Sequence, residues 1–335
     1  MPPLNVSVVV VNYNCYKTLY DCISSILRSK WVGELLLVDN ASTDKSLALI
    51  EKFTDDVRLK IIRLDRNIGL ARAQNLAAAK TRSNYLAFAD ADSRVDPEWL
   101  EVPCLLLENN KEIGAVQCNV ICSKHSDKIA AASANVLSDG CRWMKISKGK
   151  HICYWRWLFP IGAGFVVRRD AWDLVKGFDP EFFVCNDDVD FGIRLWVSGY
   201  EVVISSEGTV YHEGGTLRSR KDIAPIFLFY EVKSMLTVWA KDLENKTLIK
   251  QVLPFSLLYP FMAFWRGGVM GVKGLFSFLG NLPSIIHRRY KIQQMRKISD
   301  NKIIPLMRGA GTMPVQLLIH DFQLFSKKIL RKTKQ

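Results

Sequence analysis

The sequence predicts an α/β fold, a mostly parallel sheet with helices on both faces, followed by a mainly helical C-terminal segment. Three observations predict it. Short apolar runs alternate with segments of helical spacing through the first third of the chain, the pattern of a doubly wound parallel sheet. The connections are short, so each run and the helix after it form one compact unit. The runs also end abruptly in polar residues: Asn12 after the first, Asp39 after the second, Asp90 and Asp92 after the fourth. Open α/β sheets bind ligands beyond the carboxyl ends of their strands, so a site is expected there.

Val6 to Val11 reads as a fully buried first strand, with Asn12-Tyr13-Asn14 as the loop at its end. Thr18 to Arg28 carries apolar residues at Leu19, Cys22, Ile23, Ile26 and Leu27 and returns the chain as a helix. Glu34 to Val38 is the second strand, tipped by Asp39, and Thr43 or Asp44 caps a helix running to about Phe53. Leu59 to Leu64 is the third, turned by Arg66-Asn67-Ile68-Gly69 into a helix from Leu70 to Ala79.

Tyr85 to Ala89 is the fourth strand. Alternation lets Asp90 and Asp92 point the same way, and paired carboxylates suit Mg²⁺ or Mn²⁺, hard ions that commonly share substrate phosphate oxygens. Read alone, the same Asp-x-Asp also describes a solvated turn before a helix capped at Asp96.

Pro97 to Leu107 then reads as a helix and Ile113 to Ile121 as a strand. The stretch 123–157 is less regular and is placed near the acceptor, with Trp143, Trp155 and Trp157 serving either as core or as a sugar-stacking surface. Ile161 to Arg169 is a strand entered through Gly162 and Gly164, whose missing side chains allow close approach. Asp170 caps a short helix, Ala171 to Lys176. A second concentration of carboxylates follows at Asp187, Asp188 and Asp190. These suit a helix N-terminus, with Asp190 and Arg194 as an ordinary i,i+4 pair. A last strand, Glu201 to Ser205, precedes His212.

Composition divides the chain. The net charge is +13, yet from Gly214 onward there are 21 Lys/Arg against six Asp/Glu, and before it 25 against 27. A near-neutral domain is thus followed by a basic, apolar tail. All eight cysteines lie between Cys15 and Cys185 without a Cys-x-x-Cys pair, and they read as buried reduced thiols in a cytosolic protein. The N-terminus lacks a basic region before its first strand, which argues against a signal peptide.

Several separated motifs occur in one order: Val8 to Asn14, Val38 to Asp44, Asn67-Ile68-Gly69 through Asn75, Ala89-Asp90-Ala91-Asp92, Gly162-Ala163-Gly164, Phe182-Phe183 leading to Asn186 through Asp190 with Arg194, and His212 with Gly215. Together they resemble an inverting family 2 glycosyltransferase of the GT-A fold, of the rhamnosyltransferase-like branch, over roughly residues 5 to 220. The resemblance implies that Asn12, Tyr13, Asn14 and Asp39 hold the nucleotide base, that Asn67 and Gly69 sit beside the nucleoside, and that Asp90 lies near the ribose. It implies that Asp92, joined by His212, binds the Mg²⁺ or Mn²⁺ that bridges the diphosphate. Asp188 is the implied catalytic base. Its neighbour Asp187 stands where the family usually has Glu, one methylene longer.

The expected organisation is a catalytic domain over 1–220 and a helical, membrane-associating region over 221–335. Gln251 to Trp265 and Gly274 to Ile286 carry no formal charge, but both fall short of the ~20 residues a span needs. An interfacial hairpin on an anionic membrane surface is expected, ahead of a re-entrant pair or a soluble dimerising domain. The implied activity is metal-dependent inverting transfer from a nucleotide-sugar donor to a glycan or polyprenyl-linked acceptor, on the cytoplasmic face of the cell membrane. An inert glycan- or membrane-binding relative is the alternative from another class, and intact Asp92 and Asp188 argue against it. A sugar nucleotidyltransferase would need a glycine-rich basic loop after the first strand, which is lacking. Nucleic acid is not an expected partner, since the basic tail carries no recognisable module.

Overall fold

The valine-rich first strand, β1 (Val6–Asn12), sits at the heart of a ten-stranded sheet in a computed structural model that describes residues 5–122, 142–145, 151–213 and 224–309. Its side chains alternate between two cores. Val6, Val8 and Val10 join the core on one face, and Val9 joins the core on the other. Helix α1 (Leu19–Leu27) leads to β2 (Val32–Asp39), which pairs with β1 in parallel so that Asn12 lies beside Asp39. A 3₁₀ helix, Leu47–Phe53, replaces the α-helix expected there and precedes β3 (Leu59–Arg63). After α2 (Leu70–Ala78), β4 (Tyr85–Asp90) pairs with the other side of β1 and sets Asp90 beside Val11.

Beyond β4 the sheet is mixed. A short β5 (Ser93–Val95) follows, and Asp96-Pro97-Glu98 forms a turn, so α3 (Glu101–Asn109) starts later than Asp96 capping required. Then come β6 (Ile113–Cys122), β7 (Arg142–Lys145), β8 (His151–Arg156) and β9 (Phe165–Arg168). Helices α4 (Arg169–Val175) and α5 (Asp187–Val197) lead to β10 (Glu201–His212). The strand order is β3-β2-β1-β4-β9-β6-β10-β8-β7, and β9 runs antiparallel to both its neighbours. Trp157 is fully buried, which makes it core, and Trp155 packs at the edge of the same core. Residues 123–141 and 146–150, which include much of the stretch expected near the acceptor, lie outside the described residues.

The last strand departs most from expectation. β10 continues seven residues past Ser205, through a register shift between Ile204 and Thr209, and ends by pairing with β5 so that His212 lies opposite Ser93. The Ser-Ser-Glu-Gly run after the expected strand end is an irregularity within the longer strand. Gly208 is required there: its φ is +87°, and a Cβ would lie 2.4 Å from the Trp99 carbonyl oxygen.

The tail is helical as expected: α6 (Ala224–Asp242), the turn α7 (Asn245–Thr247), α8 (Tyr259–Gly280), α9 (Leu282–Gln294) and α10 (Asp300–Gly309). Leu236, Val238 and Trp239 of α6, Ile292 of α9 and Ile303 and Leu306 of α10 belong to the same core as α5. One hydrophobic core thus takes in residues from both sides of position 220. Three basic residues of the tail are turned inward. Lys241 is fully buried, Arg288 pairs with Asp179 at 2.5 Å, and Arg289 donates to the carbonyl oxygens of Ala240 and Leu243. The cysteines also depart from expectation. Cys153 is disulfide-bonded, and Cys15 and Cys185 are only half-buried, while Cys22, Cys104 and Cys118 are buried free thiols. Spacing along the chain carries no signal for a bridge that the fold assembles.

Candidate active site at the strand tips

Because β1, β2 and β4 run in parallel, their carboxyl ends bring the Asn12, Asp39 and Asp90 positions to one edge. Asn12 is completely buried. Its side-chain amide donates to Asp39 Oδ1 at 2.8 Å, to Ser46 Oγ at 2.8 Å and to Ser42 Oγ at 3.0 Å. It therefore holds the loop after β2 in shape. Asp39 is also buried, and its second oxygen accepts the Ser42 backbone N–H. Asn14 ties the two loops from the other side, its Oδ1 accepting the backbone N–H groups of Thr43 and Asp44, and Tyr13 lies half-exposed between Asn12 and Asn14.

Asn67 is held by the same logic. Its Oδ1 accepts from Asn40 Nδ2 and from the Gly69 backbone N–H, both at 2.9 Å. Gly69, at φ +87°, lies under Phe183, and a Cβ there would approach the Phe183 ring to 2.8 Å. The glycine is needed for this close approach of the 183 segment, whose carbonyl also accepts the Leu70 N–H.

Asp90, Asp92 and His212 meet where β4, β5 and the end of β10 converge. Their ligand atoms all lie within 4.8 Å of one another, with His212 Nε2 3.1 Å from Asp92 Oδ1 and 3.5 Å from Asp90 Oδ2. Two carboxylates and an imidazole form a donor set that could hold a divalent metal ion, the imidazole suiting a transition metal better than Mg²⁺. Burial pushes the Asp90 carboxyl up to about 6, the charge of Asp92 adding to the rise and His212 opposing it. The loop before β9 closes on this group: a Cβ on Gly162 would lie 3.2 Å from Asp90 Oδ1. The buried Gln117 holds that loop, donating to the Gly164 carbonyl at 2.7 Å and accepting the Ile161 N–H at 2.5 Å. Nothing in sequence spacing pointed to Gln117, a lone polar residue in an apolar strand.

Asp187 and Asp188 open α5. The two residues before them, Cys185 and Asn186, both have positive φ, +69° and +60°. Asn14 and Ala41 are likewise left-handed at +57° and +64°. Among the described residues, four of the five non-glycine residues with positive φ thus border the strand-tip region, where such strain is commonly retained for function. Burial, with the charge of Asp90 adding to it, pushes the Asp188 carboxyl up to about 7. Asp187 is raised well above its ordinary value by burial and by Asp188. At its other end α5 is locked by buried charges: Arg194 pairs with Asp190 at 2.7 Å and donates to the carbonyl oxygens of Val175 and Gly177. Lys241 bonds both Asp190 and, at 2.6 Å, Asp179. The Asp190–Arg194 pair is thus part of a buried network that reaches into the tail. Its signal in the sequence was slight, a Lys-Asp step at the end of the apolar helix α6.

The sequence model described as "Glycosyl transferase family 2" matches residues 7–174, half of the chain. The O-antigen biosynthesis protein RfbC of Myxococcus xanthus is 27% identical over 218 residues, covering 62% of this chain and 17% of that protein. The poly(ribitol-phosphate) beta-N-acetylglucosaminyltransferase TarS of Staphylococcus aureus is 28% identical over 281 residues, covering 80% of this chain and 46% of that protein. The chain thus spans less than half the length of either relative.

Among solved structures, GalNAc-T7 with UDP, GalNAc and Mn²⁺ superposes with a TM-score of 0.58 at 17% identity, covering 86% of this chain and 58% of that one. A mannosyltransferase of Pyrobaculum calidifontis in complex with GDP-Man and Mn²⁺ gives 0.53 at 14% identity, covering 95% and 87%. These likenesses carry the fold, and the relatives named do not single out the rhamnosyltransferase-like branch. With a family model matching half of its length and a sheet that superposes on these structures, the chain belongs to glycosyltransferase family 2 and has the GT-A fold.

Proposed function

We propose that this chain transfers a sugar from a nucleoside-diphosphate sugar to a hydroxyl of a glycan or polyprenyl-linked acceptor, with inversion at the anomeric carbon and with a divalent cation. The observation that carries the reading is the meeting of two acidic groups: Asp90, Asp92 and His212 gathered within 4.8 Å, and Asp188 at the start of α5, close enough for the charge of Asp90 to act on it. Asp92 and His212 would hold Mg²⁺ or Mn²⁺, with Asp90 beside them. That cation would offset, as a Lewis acid, the charge that develops on the leaving diphosphate.

The remaining roles belong to the chain's own groups. Asp39, oriented by Asn12 and the Ser42 N–H, accepts a hydrogen bond from a base N–H of the donor, while Tyr13, Asn14, Asn67 and Gly69 shape the nucleoside pocket. Asp188 takes the proton from the attacking hydroxyl. A base with a pKa raised toward neutrality is well matched to that task, because it is both substantially ionised and strongly basic at working pH. Asp187 supports it from the same helical turn. One base with no second carboxylate needed as a nucleophile gives a single displacement, hence inversion. The TarS and Pyrobaculum structures, solved with UDP-GlcNAc and GDP-Man, support a nucleotide-sugar donor without choosing its base.

A panel of nucleotide sugars assayed for slow hydrolysis, with Mn²⁺ and with a chelator, tests the reading without needing the acceptor. Release of nucleoside diphosphate from one donor, abolished by chelation and restored by Mn²⁺, is the expected result. Chelator-insensitive release would overturn the metal assignment, and inertness toward every donor would favour a binding protein on this fold.

A further inference from the structure

The described residues expose fourteen large hydrophobic side chains, and ten of them lie between Ile226 and Tyr290. They are ordered rather than scattered. After a kink at Gly268, where φ is +55°, the outer side of α8 presents Val269, Lys273, Phe276 and Leu279 at spacings of four, three and three, one stripe of a helix. Helix α9, bent by 64° from it, continues the outer surface with Ile286, Tyr290 and Lys291. The inner sides are already used. Gly274 packs against the Phe229 carbonyl of α6, Leu275, Ile285 and Ile292 are buried, and Arg288 pairs with Asp179.

The charge on this region has one sign. From Asn245 to Ser299 the chain holds nine Lys or Arg and no Asp or Glu. Three of the nine, Arg288, Arg289 and Arg296, bond to the protein interior. Lys246, Lys250, Lys273 and Lys291 are exposed. No single helix among the described residues is long and apolar enough to cross a membrane, and the bent pair 268–280 with 282–294 passes only jointly.

We propose that the outer face of α8 and α9 docks on an anionic lipid bilayer, its apolar stripe entering the headgroup boundary while Lys273 and Lys291 meet lipid phosphates. Charge selects this occupant over two others. A second copy would bring an all-positive face against itself, which repels. A nucleic acid would satisfy the lysines and leave Val269, Phe276, Leu279 and Ile286 facing water. An anionic membrane takes both chemistries at once. Helix α8 packs on α6, whose Glu231 carbonyl receives Asn186 beside the candidate base. Docking would therefore hold the strand tips at the membrane, and the inference stands whether or not the proposed sugar transfer is correct.

The test is co-sedimentation of the full chain with vesicles of phosphatidylcholine, with and without phosphatidylglycerol, at low and high salt. The expected result is binding to the phosphatidylglycerol vesicles that salt weakens. The double variant Lys273→Glu/Lys291→Glu should partition at least about thirtyfold less, since losing two lysines alone removes about that much attraction and the two added carboxylates are repelled as well. Phe276→Ser/Ile286→Ser should also lose binding, and both variants, altered only at exposed positions, should keep the wild-type melting temperature. Equal binding to neutral vesicles, or unchanged binding by both variants, would overturn the proposal. Failure to bind at low salt, with dimerisation by sedimentation velocity that the serine variant abolishes, would assign the face to a second copy instead.

Discussion

The chain concentrates carboxylates in two places and treats them in opposite ways. At the strand tips Asp90, Asp92 and Asp188 are gathered with a histidine, and burial raises both Asp90 and Asp188 toward neutrality. On the far side of α5, Asp179 and Asp190 are more deeply buried and are met by Lys241, Arg194 and Arg288. There the cations outweigh burial, and Asp179 is held well below the usual carboxylate range. Lys241, which burial alone would push down, is raised by Asp190, Asp242 and Asp179. A carboxylate matched by fixed cations is committed to the fold, whereas one raised by burial and by its own kind can exchange protons and attract a metal. Only two residues separate the two behaviours on α5: Asp188 belongs to the first set and Asp190 to the second.

The largest expected effect falls on the first set. Asp188→Asn should lower kcat by about 10²–10⁴-fold while leaving donor affinity nearly unchanged, since a positioned base contributes about that much. Calorimetric titration of the donor alongside initial rates separates the two, and a matching loss of donor binding would move Asp188 into the metal or structural set.

On the matched set, Lys241→Met should cost about 3–5 kcal/mol of stability, because it strands Asp179 and Asp190 without their shared cation. Urea unfolding measures this, and the folded fraction should still turn over. Unchanged stability with lost turnover would instead make Lys241 part of the chemistry.

The smallest and most diagnostic effect is in the pH profile. Asp188 must be unprotonated to act, so kcat/KM should rise with pH through its pKa. Burial holds that pKa near 7 in the metal-free protein, and a cation beside Asp90 would offset one of the charges that keep it up. The midpoint in saturating Mn²⁺ is therefore expected at or below about 7, and below the midpoint for proton uptake by the metal-free protein. Coincident midpoints would remove Asp90 and its metal from the environment of Asp188.

Much of this was legible in the sequence where local pattern decides structure. The four parallel strands and the carboxylates at their tips follow from apolar runs ending in polar residues, and the ordered motifs supplied the family. His212 was visible as a residue but not as part of β10, because Gly208 breaks the apolar pattern of a strand that in fact continues. Nothing local says that Lys241 and Arg288 turn inward, because Asp179 and Asp190, which meet them, lie some fifty to a hundred residues away in the chain. Asn12 and Gln117 belong to the same class: buried amides whose partners are set by strand register. Charge composition gave the sign of the tail, and only packing showed which of its cations remain outside.

The measurement that tests the central contrast most directly is calorimetric binding of nucleoside diphosphate to the wild type and to Asp92→Asn, each with and without Mn²⁺. The amide keeps the shape of the carboxylate and removes its charge, so the account predicts that the variant loses the Mn²⁺-dependent part of binding while keeping its fold. Undiminished Mn²⁺ dependence in Asp92→Asn would contradict it, and would mean that the strand-tip carboxylates are not where the cation is held.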